Sequence, residues 1–166
     1  MKFGHIERYS RQIKLPQVGE TGQQQLLDAR VLIIGMGGLG SPVAMYLAAA
    51  GVGHLVISDY DRVDESNLQR QIVHTQASIN ELKAASARDT LLRLNPAVSI
   101  DALNYELDDE ELTKQVKQAN VVVDCTDNFP SRFELNRVSL ATGTPIVSGA
   151  AIRWEGQVST VIPKNS

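Results

Sequence analysis

Short apolar runs punctuate the chain, and longer stretches with helical spacing separate them. The runs at 31–34 (V-L-I-I) and 120–125 (N-V-V-V-D-C) are dense in β-branched residues and read as buried strands. Residues 54–59 (H-L-V-I-S-D), 98–103 and 146–148 read as further strands, and the more polar 156–162 as an edge or antiparallel one. Between them, 43–50 is a small, apolar helix closed by Gly51 and Gly53. Ser78-Ile79-Asn80-Glu81 fits a capping box and predicts a helix from there to about Leu94, with Ala84, Ala87, Leu91 and Leu94 as its buried stripe. Asn95-Pro96 stops it. Residues 108–119 predict a surface helix with acids first and Lys114 and Lys117 late, matching the helix dipole. Residues 130–142 predict the last helix, ended by Gly143 and Pro145. Ahead of the first strand, 5–15 places Ile6, Tyr9 and Ile13 on one helical stripe until Pro16. A turn at 19–22 and a short helix at 23–27 follow.

The first strand empties into Gly35-Met36-Gly37-Gly38-Leu39-Gly40, which fits G-x-G-x-x-G at Gly35, Gly37 and Gly40. Ser41 reads as an N-cap and Pro42 as the first helical residue. Strand, glycine turn and helix N-terminus together aim backbone N–H groups at an anion. Asp59 ends the second strand about twenty residues beyond the loop, where a dinucleotide fold has its ribose-binding acid. The alternation of elements predicts an α/β fold: a doubly wound, mostly parallel Rossmann-like sheet over residues 30–166, with an N-terminal helical arm over 1–29.

Residues 61–76 are polar and irregular and hold Asp64, Asn67, Gln69, Arg70, Gln71 and His74, more amides and charge than a connection requires. Lys83 lies near a helix N-terminus, where the dipole gives a cation nothing. A phosphate partner would account for it, and so would an ordinary exposed lysine. Asp127 and Asn128 follow a buried strand, so they belong on the same rim as Gly37 and Asp59. Asp127 could hold Mg²⁺, or the pair could form an Asx turn into the next helix. Arg8, Arg11 and Lys14 recur at helical spacing and read as a solvated face.

Composition narrows the field. With 166 residues, 43% hydrophobic and 21% charged, the chain is one globular domain or a domain plus an arm. A net charge of −3 argues against a broad nucleic-acid footprint. The single cysteine, Cys125, allows no disulfide framework and no zinc set from cysteine pairs, and reads as a buried core thiol. The start is too polar for a signal peptide and no apolar run approaches a membrane span, so a cytoplasmic protein without membrane contact is expected. A nicotinamide diphosphate is largely satisfied by a helix N-terminus, whereas ATP cleavage needs cations or Mg²⁺ on the leaving pyrophosphate. Arg70, Lys83, Arg11 and Asp127 are the candidates, which favours ATP over NAD.

Several motifs carry a resemblance: R-Y-S-R-Q at 8–12, V-L-I-I-G-M-G-G-L-G-S-P at 31–42, A-G-V-G at 50–53, S-N-L-Q-R-Q at 66–71, D-C-T-D-N at 124–128 and S-G-A-A-I-R-W-E-G-Q at 148–157. Together they resemble the ThiF/MoeB/HesA family, bacterial relatives of ubiquitin-activating enzymes, over essentially the whole chain. The resemblance implies ATP-dependent adenylation of the C-terminal Gly-Gly carboxylate of a ubiquitin-like sulfur-carrier protein, in thiamine or molybdopterin biosynthesis. By motif, Gly35, Gly37 and Gly38 lie against the nucleotide and Asp59 holds the ribose. Ser66, Asn67, Leu68, Gln69 and Arg70 line the site, with Asn67 and Arg70 addressing the phosphates. Lys83 stabilises charge at the α-phosphate, and Asp127, beside Asn128, binds Mg²⁺. Arg11 reaches the other subunit of a homodimer. Family members continue beyond this length with cysteine pairs for zinc, so no zinc is expected here and at most the adenylation half-reaction. The competing readings are a catalytically silent nucleotide- or partner-binding remnant of the family and, remotely, an NAD-dependent oxidoreductase.

Overall fold

The computed structural model describes residues 7–163. The expected helix start at residues 5–6 and the tail at 164–166 lie outside that range. Six strands form one sheet in the order β3-β2-β1-β4-β5-β6. They are β1 (Arg30–Ile34), β2 (His54–Ser58), β3 (Ser99–Leu103), β4 (Val121–Asp124), β5 (Ile146–Ile152) and β6 (Glu155–Val161). β1 to β5 pair in parallel and β6 closes the edge antiparallel to β5. The helices are α1 (Ser10–Ile13), α2 (Gly19–Asp28), α3 (Gly40–Ala50), α4 (Lys83–Leu94), α5 (Asp109–Gln118) and α6 (Phe129–Thr142).

Alternation along β1 and β2 sorts the core into two halves, because successive strand residues face opposite ways. Val31, Ile33, Leu55 and Ile57 pack with Ala44, Ala48, Ala84, Ala87 and Leu91 of α3 and α4. Leu32, Val56 and Val122 pack with Leu112, Val116, Leu135 and Val138 of α5 and α6. The alanines of α3 and α4 let those helices lie close on the sheet, as their small side chains predict.

Some boundaries differ from the sequence pattern. α4 begins at Lys83 rather than Ser78, because Asn80 takes a left-handed φ of +72° that no helix continues through. Ser78 is spent locally: its Oγ accepts the Thr75 N–H at 3.0 Å and donates to the Thr75 carbonyl at 2.8 Å. Leu94, expected on the buried stripe, is 37% exposed as the last residue of α4. Residues 19–22 are not a turn but the start of α2, which packs its buried Gln23 against the rest of the arm. β5 runs on to Ile152 because β6 pairs with it from Val161 back to Glu155. Among the described residues, no helix is long and apolar enough to cross a membrane.

The arm closes the C-terminal end of α3, where helix carbonyls lack intrahelical partners. Gln12 and Gln23 each donate Nε2–H to the Ala50 carbonyl at 3.1 Å, and Gln12 also donates to Gln23 Oε1 at 2.9 Å. Tyr9 is buried there, its hydroxyl accepting from Asn95 Nδ2 at 2.8 Å. Asn95 donates to the Ala48 carbonyl at 2.7 Å as well, so this residue, read from sequence only as a helix stop, joins arm, α3 and α4. Arg8, read as part of a solvated face, also donates to the Leu94 carbonyl at 3.2 Å. Asn95→Ala removes both of these hydrogen bonds from the junction of arm, α3 and α4, and is expected to cost about 2 kcal/mol in urea denaturation. A midpoint equal to wild type would contradict this role.

Candidate functional site

Ile34 at the end of β1 is level with Ser58 of β2 and Asp124 of β4. Gly35, Asp59 and Cys125 therefore leave the sheet side by side, where the strand order reverses about β1 and an open α/β sheet holds its ligands. Gly35 has a φ of +96°, and a Cβ there would stand 2.8 Å from the Cys125 carbonyl oxygen. At Gly40 a Cβ would fall 1.8 Å from the Gly35 carbonyl oxygen. The fold itself demands these two glycines. It does not demand Gly37 or Gly38, where a Cβ would meet only Gln71 Nε2 at 3.6 Å and Arg70 Cδ at 3.5 Å. Their N–H groups have no partner among the described residues, as expected where a helix begins.

Ser41 is not the N-cap. Leu39 holds that position without a side-chain bond, and Ser41 is buried with its Oγ unpaired among the described residues. The loop is fastened instead by Asp59, whose Oδ2 accepts the Met36 N–H at 2.8 Å. The Asp59 Oδ1 accepts the Asp61 N–H at 2.9 Å. Asp61 in turn binds Lys83, Nζ to Oδ2 at 2.8 Å, and its carbonyl accepts the Lys83 N–H at 2.8 Å. Lys83 is only 7% exposed, and as the first residue of α4 it sits against an unfavourable dipole end. Asp61 supplies the charge that makes this position tolerable. The sequence carried the signal for Asp61, an acid two residues beyond Asp59, but the polar background of 61–76 hid it.

That segment folds into a short 3₁₀ turn, Glu65–Asn67. Asp64 caps it, accepting the Ser66 N–H at 2.8 Å, and the bonds from Ser66 hold its carboxyl below the usual range. The Asp64 N–H donates to Asn67 Oδ1 at 3.4 Å. Ser66, Gln69 and Arg70 are exposed, with Asn67 and Leu68 half-buried. The turn brings Arg70 over Gly38, with Nη1 donating to the Ser66 carbonyl at 3.2 Å. Gln71 is 4% exposed beside Gly37, and its Oε1 is buried without a partner among the described residues. His74 approaches the Met36 carbonyl with Nε2 at 3.1 Å and Ser86 Oγ with Nδ1 at 3.0 Å.

On the β4 side, buried Asp124 accepts from Thr126 N and Oγ1 at 3.0 and 2.7 Å and from Ser148 Oγ at 2.6 Å. Arg132 Nη2 donates to the Thr126 and Gly149 carbonyls at 2.6 Å each, pinning the β4–α6 turn to β5. Asn128 is the N-cap of α6, accepting the Ser131 N–H at 3.0 Å, which is the Asx-turn alternative. Asp127 is exposed, and its carboxylate has no partner among the described residues. Cys125 is buried, and burial pushes its thiol up to about 12. No group of three or more His, Cys, Asp or Glu converges among the described residues. Arg11 is exposed on α1, beyond the C-terminal end of α3. That helix is about 16 Å long, so Arg11 does not reach the loop of its own chain.

A parallel sheet that divides about its first strand, with a glycine turn into a helix there and an acid ending the next strand, is a Rossmann-like α/β domain. More narrowly, the chain belongs to the ThiF family, whose model matches residues 9–166. It is 49% identical to the molybdopterin-synthase adenylyltransferase of Escherichia coli K12, over 92% of this chain and 61% of that protein. To the sulfur carrier protein ThiS adenylyltransferase of the same strain it is 47% identical, over 94% of this chain and 62% of that protein. A solved structure of E. coli MccB with ATP matches with a TM-score of 0.84 at 25% identity, over 94% of this chain and 49% of that one. The chain thus spans about three fifths of the curated relatives it matches.

The two kinds of glycine are separable by experiment. Gly40→Ala drives a methyl into backbone and is expected to lose at least about 3 kcal/mol, while Gly38→Ala stays within about 0.5 kcal/mol of wild type. Urea denaturation of both checks this, and equal losses would contradict it.

Proposed function

We propose that this chain is the adenylation part of an ATP-dependent adenylyltransferase. Its substrate is the C-terminal Gly-Gly carboxylate of a ubiquitin-like sulfur-carrier protein, used for molybdopterin or thiamine biosynthesis in the cytoplasm. The observation that carries the reading is the floor at Gly37 and Gly38: N–H groups without a partner among the described residues, beside Gln71 and Arg70, with the Lys83 ammonium tied through Asp61 to the Asp59 that fastens the loop. A nicotinamide diphosphate would leave those two cations without work, whereas a triphosphate uses both. Relatives named as adenylyltransferases and a fold match to MccB with ATP support the same choice.

In this reading the carrier's carboxylate oxygen attacks the α-phosphorus. A new P–O bond forms, the bond to the bridging oxygen breaks, and pyrophosphate leaves with the electron pair. Gly35, Gly37 and Gly38 form the surface under the nucleotide, with the N–H groups of Gly37 and Gly38 meeting its phosphates. Asp59, besides fastening Met36, has lone pairs left for ribose hydroxyls. Lys83 gives one N–H to Asp61 and has others for the α-phosphate, so Asp61 keeps the ammonium in place until the anion arrives. Arg70, released from the Ser66 carbonyl, and Asn67 address the outer phosphates, with Ser66, Leu68, Gln69 and Asn128 completing the wall. A single free carboxylate is an ordinary Mg²⁺ ligand when phosphate oxygens supply the rest, which fits Asp127. The bound ion would neutralise phosphate charge there.

Arg11 belongs to this scheme only in a second copy. The arm at 1–29 carries it away from its own loop, the sheet body at 30–166 holds the nucleotide, and a homodimer brings the arm of one to the loop of the other. A second reading is a nucleotide-binding member of the family without turnover. Carrier-dependent ATP–pyrophosphate exchange decides. Wild type is expected to exchange, and Lys83→Ala and Asp127→Ala each to lose about a hundredfold or more. Full exchange in either variant would remove that residue from the chemistry. ATP binding without exchange in wild type would favour the silent reading.

A further inference from the structure

His74 has no part in the scheme above, yet it is buried against the loop, 5% exposed. Its Nε2 lies 3.1 Å from the Met36 carbonyl and its Nδ1 lies 3.0 Å from Ser86 Oγ. A carbonyl can only accept, so Nε2 must carry the proton. Nδ1 then accepts the Ser86 hydroxyl. The Met36 carbonyl belongs to the same planar peptide as the Gly37 N–H, and in a trans peptide the two point in opposite directions. A buried ring that draws the carbonyl inward therefore turns the Gly37 N–H outward, to the open side of the loop. The preceding peptide is held independently, its Met36 N–H given to Asp59 at 2.8 Å. Ser86 stands one helical turn after Lys83 on α4, so the same ring also fixes the loop against the helix that carries the buried ammonium.

We propose that His74 is a positioning residue for anion binding: as the neutral Nε2–H tautomer it orients the Met36–Gly37 peptide, presenting the Gly37 N–H to a nucleotide phosphate and locking the glycine loop to the helix of Lys83. Burial lowers the ring's proton affinity, opposed by the Met36 carbonyl. The neighbouring Lys83 lowers it further and Asp59 raises it, and the net direction is down, which keeps the ring neutral. The inference rests on the reading of the loop as a nucleotide site.

Two near-isosteres separate positioning from packing. His74→Gln keeps an N–H where Nε2 stands and can hold Met36, whereas His74→Asn keeps a polar group only where Nδ1 stands and can reach Ser86 alone. ATP affinity by titration calorimetry is expected to stay within about threefold of wild type in His74→Gln and to fall at least about tenfold in His74→Asn, with similar urea midpoints in both. Equal affinities in the two folded variants would overturn the proposal. Should either fail to fold, ¹⁵N spectra of the wild-type imidazole decide: an Nε2–H tautomer is expected, and an Nδ1–H tautomer or an imidazolium at pH 7 would overturn it. Absence of ATP binding by wild type would instead overturn the nucleotide reading, and is scored separately.

Discussion

Gly35 leaves the sheet at a φ of +96°, with the Cys125 carbonyl so near that a Cβ would stand 2.8 Å from it. This turn sets the site. Because β1 ends level with both neighbours, a chain that turned later would carry the loop past Asp59, and one that turned sooner would break the pairing of Ile34 with Ser58 and Asp124. The turn also brings Gly40 onto the Gly35 carbonyl, so α3 starts where its N-terminal N–H groups stand over the end of the sheet. Asp59, and through it Asp61 and Lys83, fasten to a loop already in place. The Lys83 ammonium is thus held by an acid just beyond the neighbouring strand end, and Arg70 by the Ser66 carbonyl.

Much of this was legible in the sequence, because the strong signals are local. Continuous apolar runs marked the strands that the core needs, and the glycines and Asp59 marked the rim. The early acids and late lysines of α5 followed from the dipole alone, and the structure adds Asp108 as its cap. The misreadings come from residues whose partners are distant or whose local signal was outcompeted. Ser41 and Ser78 both look like caps. Yet α3 starts two residues earlier under the constraint of Gly35, and Asn80 in the left-handed region ends any helix begun at Ser78. Asn95 looked like punctuation because its partners Tyr9 and Ala48 lie far off in sequence. His74 and Asp61 both stand in the polar stretch read from sequence, but what they do depends on partners distant along the chain, Met36 and Ser86 for one and Lys83 for the other.

The arm and the rim occupy opposite ends of α3, which places Arg11 away from the loop of its own chain. Gln12 on α1 and Gln23 on α2 are consumed in satisfying the Ala50 carbonyl at the end of that helix, and buried Tyr9 accepts from Asn95 beside them. Arg11 alone among the sequence-derived site residues is remote from the loop, so the same packing that secures the arm withholds this cation from its own chain. Family membership accounts for the shared motifs, while the chemistry proposed for them depends on what the open side of Gly37 and Gly38 receives.

That central claim is most directly tested by following backbone amides of the 18.1 kDa chain in ¹H–¹⁵N spectra as ATP is added. The account predicts saturable shifts concentrated at Gly37, Gly38, Asp59, Arg70 and Lys83. Unchanged spectra at millimolar ATP, or shifts gathered at the opposite end of the strands around Arg30 and His54, would contradict it.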